Sequence, residues 1–240
     1  YAGTERQGGG QRDQSGGGKA LSIKKKHMIT VVLLIAVAFT GFIAYRHRIQ
    51  NSKITYKDHL DDVVVQVNDQ KLTLKDAAYY VAYEEKTVEE QAVVYDPDNT
   101  NKYWNLHIDG EFVRVAASNA AVNMLIHDEI FYEMAVDDGI ELTQEDIDAY
   151  ENSESDFWSD LTDIDGQSAL GITEDDLKET MKKAALAQKY QEIYAQLQNA
   201  EPTDYDVSGD GYKALLEKTD YKINEKLWDR VDIGNVTLSH

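Results

Sequence analysis

An uninterrupted apolar run covers residues 28–45, which read MITVVLLIAVAFTGFIAY and carry no charge. At a rise of about 1.5 Å per residue, a helix of this length measures about 27 Å, close to the ~30 Å hydrocarbon core of a bilayer. The pattern therefore predicts one transmembrane helix. The alternative is a cleaved signal peptide with a cleavage site at Ala36-Val37-Ala38. Cleavage there would leave an apolar stub, residues 39–45, on the mature protein.

The segments on either side of this run are polar. Residues 1–27 are rich in glycine and basic side chains, and we predict a disordered tail because they bury too little apolar surface to fold. Residues 46–61 read as a juxtamembrane linker. Inside the run, Ala36, Thr40 and Ala44 recur every four residues, a spacing that lets a second helix approach closely and predicts a membrane-complex partner. Ordinary small residues in a single anchor are the alternative.

Three Thr-x-x-Asp boxes, at Thr73, Thr143 and Thr173, predict helix starts because the hydroxyl and the carboxylate can cap each other's free amide groups. Apolar residues at helical spacing follow each box, and a further helix is predicted over 111–138, ended by Gly139. Residues 95–110 read as a loop that exposes Tyr103 and Trp104.

Strand signals flank these helices. The β-branched run Val63–Val67 predicts a strand that ends in a turn, and residues 221–238 are expected to hold a second strand that pairs with it. The predicted fold is therefore mostly α, with a small β element, preceded by one transmembrane helix.

Charge divides the chain near residue 57. Residues 1–57 have a net charge of +8, whereas residues 58–240 have a net charge of −28. The acidic part would repel a phosphate backbone, so nucleic acid is excluded as its partner. The chain has no cysteine, which rules out disulfides, thiolate catalysis and Cys-ligated metals.

Several of these motifs together resemble the N-terminal chaperone domain of the SurA and PrsA families. Those domains show a Val-Asn-Gly turn before a Thr-x-x-acid box, then a long apolar helix, a Gly-Ile turn and a Gly-Ile-Thr box. The matching positions are Val67-Asn68-Asp69, Thr73, Leu125-Ile126, Ile130-Phe131, Gly139-Ile140, Leu142-Thr143 and Gly171-Ile172-Thr173. The resemblance implies a helical chaperone domain of this type over residues 62–240, with Asp69 standing where the family usually has Gly.

In these families a parvulin prolyl-isomerase domain follows the last helix. Here residues 199–211 form the loop where that domain is expected, and the rest of the chain shows no parvulin motif. We therefore predict that this chain is not an enzyme. A degenerate isomerase is a further alternative.

A separate motif, residues 206–217, has the spacing of a calcium-binding loop. Asp206, Ser208, Asp210 and Glu217 occupy positions 1, 3, 5 and 12, with Gly211 at position 6. Lys213 stands at position 8, where such loops carry an aliphatic residue, so a Gly-rich polar connector is the alternative. Otherwise no cofactor is expected.

Aromatic residues concentrate in the first predicted helix and the loop after it. Because aromatic rings offer large contact areas at small entropic cost, we expect them to bind unfolded clients. The client-binding residues proposed on this ground are Tyr79, Tyr80, Tyr83, Tyr103, Trp104 and Phe112. For several of these rings, burial in the core is the alternative.

The apolar run predicts a single-pass protein of the cell membrane, anchored in lipid. The resemblance, together with the basic residues Lys24–Lys26, implies a cytoplasmic N-terminus and an extracytoplasmic domain. It would act as a chaperone that holds exported, unfolded or partly folded polypeptides. The alternative function is that of an accessory or scaffolding subunit of a membrane protein complex, which reuses the same fold to grip a folded partner.

Overall fold

The computed structural model describes residues 52–240. The predicted tail, transmembrane helix, small-residue stripe and the linker up to residue 51 lie outside the described residues. Among the helices of residues 52–240, none is both long and apolar enough to cross a membrane.

Three short strands form an antiparallel sheet with β1 (Val63–Val67) at its centre. β2 (Gln70–Thr73) follows β1 through the two-residue turn Asn68-Asp69. The third strand of this sheet, Tyr221–Ile223, pairs with the other edge of β1. Three of the four valines of β1 are completely buried, which ties the sheet to the core. Both strand predictions are confirmed, and Asn68 adopts the left-handed conformation (φ 48°) that asparagine tolerates in turns.

Helices account for most of the described chain, as predicted. In chain order they are α1 (Leu74–Tyr95), α2 (Asn101–Trp104), α3 (Val113–Asp137), α4 (Gln144–Asp163), α5 (Gly166–Leu170), α6 (Glu174–Leu197), α7 (Asp210–Leu216) and α8 (Glu225–Trp228). Single turns of 3-10 helix lie at Tyr56–Asp58 and Pro202–Tyr205. The four long helices, α1, α3, α4 and α6, are those that the sequence predicts.

The three capping boxes begin α1, α4 and α6. The backbone N–H groups of Thr73, Thr143 and Thr173 donate to the aspartate three residues later at 2.7, 2.7 and 2.9 Å. The Thr143 and Thr173 hydroxyls also accept from the amides of Asp146 and Asp176, each at 3.2 Å. Such caps are each worth about 1 kcal/mol, so these helix starts follow from local sequence.

The end of α3 is also set by interactions within a few residues. Gly139 has a φ of 66°, and the Ile140 amide donates back to the Ala135 carbonyl at 2.8 Å. This is the left-handed helix stop that the sequence predicts.

The core is centred on α3, which packs against both α6 and α1. Phe131 of α3 is fully buried, and its ring lies 6.0 to 6.4 Å from the rings of Tyr194, Tyr205 and Tyr212. These rings belong to α6, the segment after it and α7, so one aromatic cluster joins the C-terminal third of the chain to the central helix.

Residues 95–110 contain more order than the predicted loop. Besides α2, they contribute β3 (His107–Ile108), which pairs with β4 (Glu111–Phe112) in a hairpin. The expectation of an exposed Trp104 is wrong, because its side chain is completely buried. Its Nε1–H donates to Glu89 at 2.8 Å, and the C-terminal segment at Gly234 covers the ring so closely that a Cβ there would lie 2.8 Å from it.

The C-terminal segment is fastened to α1 by one buried carboxylate, Glu85. This side chain accepts hydrogen bonds from the amides of Gly234, Val236 and Thr237, at 2.6, 2.9 and 2.7 Å, and from the Thr237 hydroxyl at 2.5 Å. Burial raises the pKa of Glu85, and the hydrogen bonds from these four donors oppose that rise. We call this arrangement the Glu85 clasp.

The third strand of the sheet, Tyr221–Ile223, is β5. The predicted calcium loop lies between α6 and β5. Here α7 begins at Asp210, and Asp210 is paired with Lys213 at 2.9 Å, while Asp206 accepts from Gln191 at 2.8 Å. Glu217 follows the end of α7. In residues 52–240 no group of three or more Asp, Glu or His side chains is arranged to hold a metal ion.

Candidate functional site

An open groove of about 1050 Å³ lies on the surface of the described part of the chain. Four helices and the segment 202–208 form its walls. Its principal lining residues are Tyr79, Tyr80 and Tyr83 of α1, Ala120, Met124, His127 and Asp128 of α3, Asp146, Ala149, Tyr150 and Ser153 of α4, and Met181, Ala184, Ala185, Gln188, Lys189 and Glu192 of α6. We call it the tyrosine groove.

Each helix contributes one stripe of side chains at helical spacing. On α3 the stripe runs through Ala120, Met124 and His127, and on α6 it begins at Met181 and continues through Ala184 and Gln188. Side chains three or four residues apart lie on the same helix face. Alanines occupy several of these positions, and their short side chains leave space between the helices.

The aromatic wall is built by α1. The Tyr79 ring lies 5.1 Å from that of Tyr80, 6.0 Å from that of Tyr83 and 5.4 Å from that of Phe157 on α4. Tyr80 is buried and forms the base of the wall, whereas Tyr83 is 41% exposed at its rim. The wall therefore presents tyrosine rings at graded depth, and Met124 adds a flexible apolar side chain nearby.

Burial keeps the tyrosine hydroxyls neutral. It raises the pKa of Tyr79 to about 12, with Asp128 and Tyr83 adding to the effect. Burial, followed by the charge of Asp128, also raises the pKa of Tyr80 well above its ordinary value, and the Tyr80 hydroxyl donates to Asp128 at 2.9 Å. These groups act as hydrogen-bond donors and apolar surfaces, not as acids.

His127 lies at the floor of the groove. One ring nitrogen, Nδ1, is 2.9 Å from the Asp128 carboxylate, and the other, Nε2, is 2.9 Å from the Tyr205 carbonyl oxygen. The ring also packs against Phe131 and Tyr212 at 4.9 and 4.8 Å. Both ring nitrogens therefore face hydrogen-bond acceptors, and the ring supports the floor of the groove.

The acidic side of the groove is formed by α4 and α6. The Lys189 ammonium donates to Asp146 at 2.6 Å, and this bond, together with the Thr143 cap, lowers the pKa of Asp146 to about 2. Asp206 and Glu192 lie further along the same side. The groove thus combines aromatic, apolar and negatively charged surface.

The proposed client-binding residues fall into two groups. Tyr79, Tyr80 and Tyr83 come together in the tyrosine groove, whereas Tyr103, Trp104 and Phe112 do not line it. Phe112 is exposed on the β3–β4 hairpin, where its ring lies 5.1 Å from that of His107. Tyr103 is partly buried and donates to Gln91 at 2.7 Å.

Sequence reasoning did not identify Met124, Met181, Asp128 or the alanines as groove residues. Met124 and Met181 lie at helical spacing with other apolar residues, and no local signal distinguishes a helix face that meets the core from one that borders a groove. A stripe in which alanine replaces larger apolar residues is the one signal that points to open space. Two of the calcium-loop positions, Asp206 and Ser208, also line the groove.

A second, smaller depression of about 540 Å³ lies between the C-terminal halves of α1 and α4 and the end of the chain. Val93, Phe157, Leu161, Ile164 and Leu238 supply its apolar surface, and Lys86 and several acids surround it. Val94, next to it in sequence, is 87% exposed. This depression is a second apolar surface, separate from the tyrosine groove.

Comparison of the chain with protein-family models, with curated proteins and with solved structures finds no match. The similarity to SurA and PrsA therefore rests on the sequence motifs, and the function has to be argued from the site.

Proposed function

We propose that this protein is a membrane-anchored extracytoplasmic chaperone that holds unfolded segments of exported polypeptides in the tyrosine groove, without prolyl-isomerase activity. The anchor would be the helix predicted over 28–45, with residues 58–240 outside the cell membrane. The resemblance to the SurA and PrsA chaperone domains, which covers about residues 62–200, supports this proposal.

The observation that carries the proposal is the composition of the groove. It is open along its length, and its walls present tyrosine rings, methionines and alanines in place of a closely shaped pocket. Rings and thioethers adapt to many side chains, because they offer contact area without fixed hydrogen-bond geometry. Such a surface suits extended chains of varied sequence better than one small substrate.

The test compares two tyrosines of the same helix. Tyr83 is 41% exposed inside the groove, and Tyr95 is 55% exposed outside it. Each contacts one other tyrosine ring, at 6.0 and 5.6 Å. The full chain, reconstituted in lipid nanodiscs, should slow the aggregation of a chemically unfolded client measured by light scattering, whereas empty nanodiscs should not.

We expect Tyr83→Ser to lose most of this protection and Tyr95→Ser to keep it. Both variants should melt close to the wild type, because both side chains lie at the surface rather than in the core. If the wild type never slows aggregation, or if both variants protect as well as it does, the chaperone proposal is wrong.

The second candidate function is that of an accessory or scaffolding subunit of a membrane complex. The exposed apolar depression around Val93 and Ile164 favours it, because contiguous exposed apolar surface often marks a protein interface. A native pull-down separates the two functions. Many unrelated unfolded exports support the chaperone, and one stoichiometric partner supports the scaffold.

A further inference from the structure

The charges that line the tyrosine groove are unbalanced. Its described lining carries four carboxylates, Asp128, Asp146, Glu192 and Asp206, and one lysine, Lys189. Lys189 is already engaged, since it donates to Asp146 at 2.6 Å and to the Glu141 carbonyl at 2.9 Å. These four carboxylates and the lysine together have a net charge of −3, which faces whatever enters the groove.

The three remaining carboxylates have no lysine or arginine partner within residues 52–240. Asp128 accepts from the Tyr80 hydroxyl and lies against His127, and Asp206 accepts from the Gln191 amide. Glu192 is exposed and forms no ion pair within the described chain. The donor to Asp206 is a neutral amide and Glu192 has no ion-pair partner in the described chain, so the charges of these two carboxylates remain available to attract a cation.

The acids lie on the same surface as the tyrosine rings. Asp128 is hydrogen-bonded to Tyr80 at the base of the aromatic wall, and Glu192 and Asp206 lie across the groove on α6 and the segment after it. Lysine and arginine have long apolar stems that can lie along rings while the charged head reaches a carboxylate. The ring faces attract the same cations.

We infer that the tyrosine groove selects client segments in which aliphatic or aromatic residues are interspersed with lysine or arginine. This inference rests on the proposed function and adds the class of segment that the groove prefers. The apolar side chains would contact Met124, Met181 and the tyrosines, and the cationic side chains would reach Glu192 and Asp206. Acidic segments would be rejected by like charge.

The experiment uses three fluorescent peptides with the same aliphatic and aromatic residues, which differ only in carrying lysine, serine or glutamate at the intervening positions. Binding to the full chain in nanodiscs is measured by anisotropy at low and at high salt. The lysine peptide should bind most tightly and the glutamate peptide least, and the difference should shrink at high salt because exposed charges are screened.

Variants then test which carboxylates of the groove attract the lysine side chains of the peptide. Replacing Glu192 and Asp206 together by Gln and Asn keeps their shape, and this double change should weaken the lysine peptide roughly three- to tenfold while leaving the serine peptide unchanged. Glu179→Gln is the matched control, because Glu179 is an exposed glutamate of the same helix that forms no ion pair in the described chain and lies outside the groove.

The outcomes separate the inference from the function on which it rests. If all three peptides bind equally and Tyr83→Ser weakens them all, the groove binds clients but the charge preference is wrong. If Glu179→Gln weakens the lysine peptide as much as the double variant does, the preference comes from the overall charge of the domain, and its assignment to the groove is wrong. If no peptide binds, the proposed function fails as well.

Discussion

Two buried glutamates show how differently this chain accommodates a carboxylate. Glu85 has four hydrogen-bond donors in the Glu85 clasp, whereas Glu129 of α3 lies among other acids and is only 8% exposed. Burial raises the pKa of Glu129 to about 7. Lys183 opposes the shift, and Glu133, Asp76 and Asp128 add to it. Near neutral pH, Glu129 is therefore a titrating group inside the fold.

This shift predicts a pH dependence of stability. The folded pKa of Glu129 is about 7 and its ordinary value is 4.5, so between these values the native state holds a proton that the unfolded state has released. The contribution of Glu129 is then fully present below pH 4.5 and is lost as the pH rises through about 7. Between pH 4.5 and about 7, the melting temperature of the wild type should fall because of this group, and Glu129→Gln should make that fall smaller. An identical pH profile in both proteins would contradict the shift.

The clasp predicts a loss of stability. Glu85→Gln replaces an acceptor-only carboxylate by an amide that can accept at one atom only, so buried backbone amides of the C-terminal segment lose their partner. We expect a cost of about 2–4 kcal/mol in the free energy of unfolding, measured by urea denaturation.

The neighbouring Glu84 is the control for this change. It is half-buried and has no part in the clasp, so Glu84→Gln should change the free energy of unfolding by less than about 1 kcal/mol. Equal effects of the two substitutions would mean that the clasp does not fasten the C-terminal segment.

At the scale of elements, the placement of α7 decides how the calcium motif is interpreted. Asp210 begins this helix and Glu217 follows its end, so the two are seven residues apart along a helical segment. At about 1.5 Å per residue this separates them by roughly 10 Å, whereas calcium ligands lie within about 2.6 Å of the ion. The four residues at calcium-loop positions do not converge in this conformation.

We therefore expect millimolar calcium to leave the melting temperature of the wild type unchanged. The measurement is thermal unfolding with calcium and with magnesium, which controls for general charge screening of an acidic protein. A rise that is specific to calcium and is abolished by Glu217→Ala would restore the calcium-loop interpretation, because position 12 supplies two ligand oxygens.

The capped helices also explain how the tyrosine groove is held. Asp146 both caps α4 and pairs with Lys189 of α6, so one carboxylate fixes the start of one helix against the side of another. The α4 side of the groove therefore depends on Asp146 in two ways, through the helix cap at Thr143 and through the ion pair with Lys189.

At the scale of the whole molecule, the proposed topology places the acidic part of the chain outside the cell membrane. A net charge of −28 on residues 58–240 favours solubility while apolar client segments are bound. Protease added to intact spheroplasts should digest this part, and a cytoplasmic marker protein should survive. If the acidic part is protected until the membrane is lysed, the orientation is wrong.

Several features of the fold follow from the sequence alone because they depend on interactions within a few residues. The helix starts at Thr73, Thr143 and Thr173 and the stop at Gly139 are set by side chains and amides of the same turn. Likewise, the valine run predicts that β1 is a strand, and apolar periodicity predicts that the four long segments are helices, without any knowledge of packing.

Only the tertiary structure decided which apolar helix and strand faces pack against each other. The burial of Trp104 depends on Gly234, and the Glu85 clasp joins atoms 149 to 152 residues apart. Packing also separates aromatic residues that are close together in sequence. Tyr79, Tyr80 and Tyr83 line the groove, whereas Tyr103, Trp104 and Phe112 lie outside it. Periodicity shows that a helix has an apolar face, but the space left between four such faces is set by how the helices pack.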